Sequence, residues 1–286
     1  MARDAVGNDR KGPGGVWQAV PMIPLHGDTL VIDRIRASSN VLADLLDAND
    51  PGVPVPTCGD WRLADLVWHL TEVQVFWGHI IGERPGGPDS YAQPTRLQDS
   101  ELAAGLRASS DRLVELLMSA DPAEEAWSWS DDHTVGFSIR RQIHESLVHA
   151  IDGILAVGRA LPEVPPRLAA DGIDEMIRVM ITGTPGWAGF EPGSTSIGLR
   201  ASDTGDRWLL GAGRVVGVEP SSRRPVDLPS YELVDGVASS LTIDAPALEL
   251  LLWMWGRLDD GCVEFGPEAE AALAAQLRET IRAVTQ

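Results

Sequence analysis

Up to Pro166 the apolar residues of this chain recur at helical spacing in four separated stretches, and beyond it the pattern changes. The first stretch runs from Leu30 to Leu46 through Ile32, Ile35, Val41, Leu42 and Leu45. The second runs from Arg62 to Ile81, with Leu63, Leu66, Val67, Leu70, Val73, Trp77 and Ile80 on one face. The third covers Ser100 to Met118 and the fourth Ser138 to Val157. Between them lie segments that cannot be helix, notably Pro51-Gly-Val-Pro-Val-Pro56 and the Gly86-Gly-Pro88 break, and Pro162, Pro165 and Pro166 end the series. Asp60 is placed to cap the second helix, and Asp99 or Ser100 the third. Four amphipathic helices joined by one long connection predict an antiparallel bundle.

Beyond Pro166 the period shortens. Residues 171–181 suit one more helix, and 183–193 are rich in glycine and proline. Residues 195–199, 207–210, 214–218 and 239–243 read as short strands between turn residues. Residues 219–235 form a polar, proline-containing insertion, expected to be a loop. Pro246–Trp255 restarts a helix at a first-turn proline, and 267–284 make the last one. The chain is therefore expected to comprise a loose arm over 1–25, a mainly α bundle over 26–165 and a small α+β domain over 166–286.

Charge narrows the partners. The net charge is -19 and the pI near 4.6, which argues against nucleic acid and anionic membranes, since both need a basic surface. No apolar run reaches the roughly 18–20 residues of a membrane span, and no apolar h-region follows the charged first residues. A cytoplasmic protein is expected. The two cysteines, Cys58 and Cys262, form neither a disulfide framework nor a C-x-x-C motif. Cys58, ahead of a helix N-terminus, can be a nucleophile or simply a small thiol packed in a turn. The tryptophans of the first half (Trp61, Trp68, Trp77, Trp127, Trp129) either fill the core or wall a pocket.

The chemistry concentrates in the fourth helix, Arg140-Arg-Gln-Ile-His-Glu-Ser-Leu-Val-His-Ala-Ile-Asp152. Residues four apart lie about 40° apart around a helix, so Glu145 and His149 point the same way, and Asp152 falls on that stripe. His144, five residues from His149, does not. One carboxylate and one imidazole side by side supply two of the three ligands of an open metal site. Of the six histidines, His69 is the best third ligand, because it edges the apolar face of the second helix. Two imidazoles and a carboxylate would leave a coordination position free, the catalytic rather than structural arrangement of zinc. The same spacing also makes an ordinary polar pair worth about 0.2–0.5 kcal/mol. A histidine on an apolar edge is often just hydrogen-bonded, so spacing leaves both readings open.

Three segments resemble the mycothiol-dependent maleylpyruvate isomerase family, which belongs to the DinB-like metal-binding bundles. Val55-Pro-Thr-Cys-Gly-Asp-Trp-Arg-Leu-Ala-Asp-Leu-Val-Trp-His-Leu70 is similar to that family's V-P-T-C-P-G-W-x-V-x-D-L-x-x-H-L signature. The stretch from Arg140 to Asp152 resembles its R-x-x-H-E-x-x-V-H-R-x-D helix, and that from Asp244 to Arg257 its G-x-A-x-x-L-L-L-x-L-W-G-R segment. The resemblance spans roughly residues 30 to 260 in order. It implies a DinB-like four-helix bundle followed by a small α+β domain, binding Zn2+ or another divalent metal through His69, Glu145 and His149. It implies mycothiol, a thiol of actinobacteria, as cosubstrate, with its sulfur held as thiolate and attacking a small-molecule electrophile. Asp152 would orient a ligand, Arg257 would hold the substrate carboxylate, and Cys58, Trp61 and His144 would line the substrate pocket. The chain departs from the pattern at Gly59-Asp60, where the family has Pro-Gly, and at Ala150, where it commonly has Arg.

The leading expectation is thus a thiol-dependent zinc enzyme, an S-transferase or a cis-trans isomerase. The alternative is a non-catalytic metal-holding bundle that binds a small molecule or a partner protein. A bundle without metal, its histidines merely packed, is the third.

Overall fold

The computed structural model describes residues 29–266 and 271–285. The arm expected over residues 1–25 lies outside the described residues. The chain forms two compact units that divide between Glu175 and Met176.

In the first unit, α1 (Thr29–Ala48), α2 (Leu63–Gly82), α3 (Leu102–Met118) and α4 (Val135–Ala156) make the bundle, and α5 (Pro166–Glu175) packs on α4. Helices α1 and α2 each pack against both α3 and α4. Their apolar stripes meet in a closed core in which Leu42, Leu63, Leu66, Leu70, Leu102 and Leu106 are fully buried. Burial of this kind, at about 1.5–3 kcal/mol for each large side chain, is what makes these amphipathic segments helical in place. One polar bridge crosses the core. The Gln74 side chain donates to Ser39 Oγ at 2.7 Å and accepts from Ser109 Oγ at 3.0 Å, tying α2 to α1 and α3. Helices α1 and α4 approach at Gly153, where a β-carbon would stand 2.6 Å from a Leu42 methyl and 3.2 Å from a Leu45 methyl.

Helix starts differ from the sequence reading in instructive ways. Asp60 does not cap α2: it is exposed in the preceding turn. The first free amide, that of Arg62, instead donates to Asp65 Oδ2 at 3.0 Å, a carboxylate reaching back from inside the helix. Gly59 takes φ +65°, which a proline cannot adopt, so the departure from Pro-Gly gives this turn its own backbone path. Helix α4 begins at Val135 rather than Ser138, because Thr134 Oγ1 accepts from the Phe137 amide at 3.2 Å. Before α3 the chain makes a short 3-10 turn, Asp99–Glu101, whose entry amide on Gln98 donates to Glu101 Oε2.

The second unit opens with a π-helical turn, Met176–Ile181, so the helix expected over 171–181 begins earlier, as α5, and ends in altered winding. Its sheet has strands β1 (Ala188–Ala201), β2 (Arg207–Val218), β3 (Pro225–Leu233), β4 (Leu241–Ala245) and β5 (Glu264–Phe265), in the order β3-β2-β1-β4-β5. Only the β1–β4 pair is parallel. Helix α6 (Ala247–Met254) packs on β1 and β4, and α7 (Ala271–Thr285) packs against the π-helical turn.

Two sequence expectations are corrected here. The 219–235 insertion is not a loop, since most of it is β3, paired along β2 from Val218–Pro225 to Leu210–Leu233. Its prolines are tolerated because β3 is an edge strand with one row of amides unused by the sheet. The segments 207–210 and 214–218 are one strand, β2, running through Gly211 and Gly213. A β-carbon on Gly213 would lie 2.3 Å from the Phe190 ring, so that glycine makes room for a neighbour rather than a turn.

Candidate metal centre

Helix α2 presents His69 at the rim of its buried face, one residue before the fully buried Leu70. Helix α4 presents Glu145 and His149 a turn apart. His69 Nε2 lies 3.4 Å and His149 Nε2 3.2 Å from the same oxygen, Glu145 Oε1. The two rings meet edge to face, with centroids 5.0 Å apart. The three side chains are 33%, 16% and 13% exposed, so the cluster opens to solvent on the His69 side. Trp61 flanks it there, its ring centroid 4.8 Å from that of His69.

Behind His149 stands a polar backing. Asp152, fully buried, places Oδ2 3.1 Å from His149 Nδ1. Thr57 Oγ1 donates to Asp152 Oδ1 at 2.6 Å and Cys58 Sγ to Oδ2 at 3.5 Å. A carboxylate facing Nδ1 keeps a proton on that nitrogen and makes Nε2 the atom that would coordinate an ion. Glu145 is fixed from its other side, where Oε2 accepts from Arg141, and Arg141 in turn donates to Glu175.

The electrostatics favour positive charge at this point. Burial alone would raise the Glu145 pKa, but Arg141 and His149 outweigh it and hold the carboxyl well below its ordinary range. Burial alone would lower the His149 pKa, yet the Glu145 charge and the hydrogen bond to Asp152 push it well above its ordinary value. Glu145 and Glu175 take the two ends of one guanidinium, that of Arg141, and a third carboxylate, Asp152, lies buried behind His149. Before the imidazoles are counted, that is three negative charges against one positive, which a divalent cation would balance.

The donor set fits such an ion. Ligands about 2.0–2.2 Å from a tetrahedral zinc stand roughly 3.3–3.6 Å apart. The observed separations are 3.2 and 3.4 Å, and all three donor atoms lie within 4.8 Å of one another. Nitrogen and single-oxygen donors of this kind suit zinc better than magnesium or calcium, which take mostly oxygen.

Of the other residues singled out in the sequence, Cys58 and Trp61 lie at this cluster. His144 does not: it is 2% exposed, and its Nε2 lies 2.7 Å from Asp171 Oδ2 of α5. Arg257 belongs to the second unit, where its guanidinium lies 5.4 Å from the centroid of the Trp255 ring and donates to the Trp255 carbonyl. Sequence reasoning gave no role to Thr57, Arg141 or Glu175. Arg141 was within its reach, because the four-residue step that pairs 145 with 149 also pairs 141 with 145. Thr57 and Glu175 carry no spacing signal and come to the site only through the fold.

Two family models match the sequence. The mycothiol maleylpyruvate isomerase N-terminal domain covers residues 32–152, and the C-terminal domain of that family covers residues 167–274. Among solved structures, a mycothiol-dependent maleylpyruvate isomerase is similar with a TM-score of 0.60 at 12% identity, covering 87% of this chain and 97% of that one. A histidine-to-alanine mutant of a mycothiol-dependent maleylpyruvate isomerase gives a TM-score of 0.59 at 11% identity over the same shares. At such identities the likeness is one of fold. No protein of curated function matches the sequence.

Proposed function

The chain belongs to the mycothiol-dependent maleylpyruvate isomerase family, and from that premise we propose that it is a zinc enzyme that activates mycothiol for attack on an electrophilic small molecule. The reading rests on the convergence of His69 Nε2, Glu145 Oε1 and His149 Nε2. These three residues would hold the ion. Bound there, zinc supplies a position at which a thiol is kept as thiolate near neutral pH. Asp152 keeps a proton of His149 on Nδ1, and Trp61 stands beside His69 at the solvent-facing edge.

Arg257 is the candidate for holding a substrate carboxylate, since a guanidinium grips two carboxylate oxygens at once. In an isomerisation the sulfur of the cosubstrate adds to a cis double bond, the resulting single bond rotates, and the sulfur leaves as the trans bond forms. In a transfer it stays in the product. No helix among the described residues is long and apolar enough to cross a membrane.

The test is metal analysis of protein purified without an affinity tag, followed by a maleylpyruvate turnover assay with mycothiol and a mass-spectrometric screen for mycothiol adducts. One equivalent of zinc with either activity supports the proposal. Zinc without any thiol chemistry would leave a metal-holding bundle, and absence of metal would remove the proposal altogether.

A further inference from the structure

Arg141 has a side chain only 6% exposed, and both ends of its guanidinium are committed. One terminal nitrogen donates to Glu145 Oε2, the other to Glu175 Oε1. Glu175 is itself buried, and among the described residues its second oxygen has no hydrogen-bond partner, so Arg141 is what holds that carboxylate. The result is a buried row, Glu175–Arg141–Glu145, that ends on the oxygen facing the two imidazoles. Two anions around one cation is a poor arrangement for a buried cluster by itself, because removal of charge from water is repaid only when the charges balance. A cation at its open end, between His69 and His149, offsets the excess negative charge.

We propose that Arg141, backed by Glu175, is a positioning residue that holds Glu145 to a single coordinating oxygen. A free carboxylate beside a divalent ion can bind through both oxygens. With Oε2 taken by a guanidinium fixed at its other end, only Oε1 remains. Three residues then give three donor atoms, and the remaining position stays open for sulfur. The inference rests on the zinc reading above and adds what keeps the site at low coordination number. Aligned charge-assisted hydrogen bonds at both ends of a planar guanidinium are what give Arg, and not Lys, this capacity to fix a carboxylate.

The experiment compares the full-length protein with Arg141→Lys and Glu175→Gln by equilibrium competition for zinc against a chelator, and by the visible absorption of the cobalt-substituted forms. Arg141→Lys keeps the charge but loses the fork. It is expected to weaken zinc binding about 10–100-fold and to replace the intense bands of four-coordinate cobalt by the weaker bands of higher coordination. Glu175→Gln is expected to shift both readouts the same way by less. Thermal unfolding of the metal-free proteins reports folding separately, and a purely structural role would change that while leaving the cobalt spectrum of folded protein as it was. Wild-type spectrum and affinity in folded Arg141→Lys would overturn the positioning role and leave the zinc site standing. Failure of the wild-type protein to take up zinc or cobalt would overturn both.

Discussion

The two sides of α4 carry the same residue types and do different things with them. On one side Arg140 and His144 face α5: Arg140 pairs with Asp171 and Asp174 at 3.0 Å each, and His144 meets Asp171 at 2.7 Å. On the other side Glu145 and His149 face α2, with His69 opposite, and Arg141 links Glu145 to Glu175 at the end of α5. In the first cluster one buried carboxylate serves both the arginine and the histidine, and His144 and Asp171 are 2% and 4% exposed. In the second, two imidazole nitrogens share one carboxylate oxygen, and His69 is 33% exposed. A polar cluster whose charges pair with one another out of water holds helices together. One whose lone pairs converge and stay reachable from solvent can hold a ligand.

That contrast can be broken by exchanging the expected effects. Asp171→Ala takes the buried carboxylate from His144 and one of two carboxylates from Arg140, and should cost about 3 kcal/mol in urea unfolding, while zinc stoichiometry of the folded protein is unchanged. Zinc lost along with stability would mean the two sides are not separate. His69→Ala should do the reverse. Chelator competition is expected to show zinc affinity down at least about 100-fold, or about 2.7 kcal/mol, while the metal-free protein unfolds within about 0.5 kcal/mol of wild type.

The mildest effect is in pH. Burial would raise the Asp171 pKa, but the hydrogen bond to His144 and the charge of Arg140 outweigh it, so the carboxyl titrates below its ordinary range. A carboxyl whose pKa is depressed on folding contributes stability above its unfolded pKa and loses it as pH falls through the folded one. The stability difference between wild type and Asp171→Asn should therefore be steady from neutral pH to about 5 and narrow below about 4. A difference that widened on acidification would contradict the assignment.

How much of this was legible in the sequence depends on the range of the interaction. The meeting of His69, Glu145 and His149 could be read because helical spacing is a one-dimensional rule, and because a bundle puts the edges of neighbouring apolar stripes together. The four helices were legible for the same reason. Strand β3 was not: Pro225, Asp227 and Pro229 belong to an edge, where pairing with β2 decides the conformation against local preference. The start of α2 was misread because Asp65, inside the helix, does what Asp60 was expected to do. The partners of Arg140, Arg141 and His144 sit some 30 residues further on, across three prolines, and only the docking of α5 brings them in.

Gly153 lies one turn beyond His149, against Leu42 and Leu45 of α1. Neither leucine is more than 1% exposed, so their methyls have no vacant space to swing into. The distance between the two helices is thus set by a hydrogen atom where any other residue would carry carbon. His149 rides on that spacing, so the reach of its imidazole toward α2 is inherited from the apolar interior, through a position with no polar atom in its side chain.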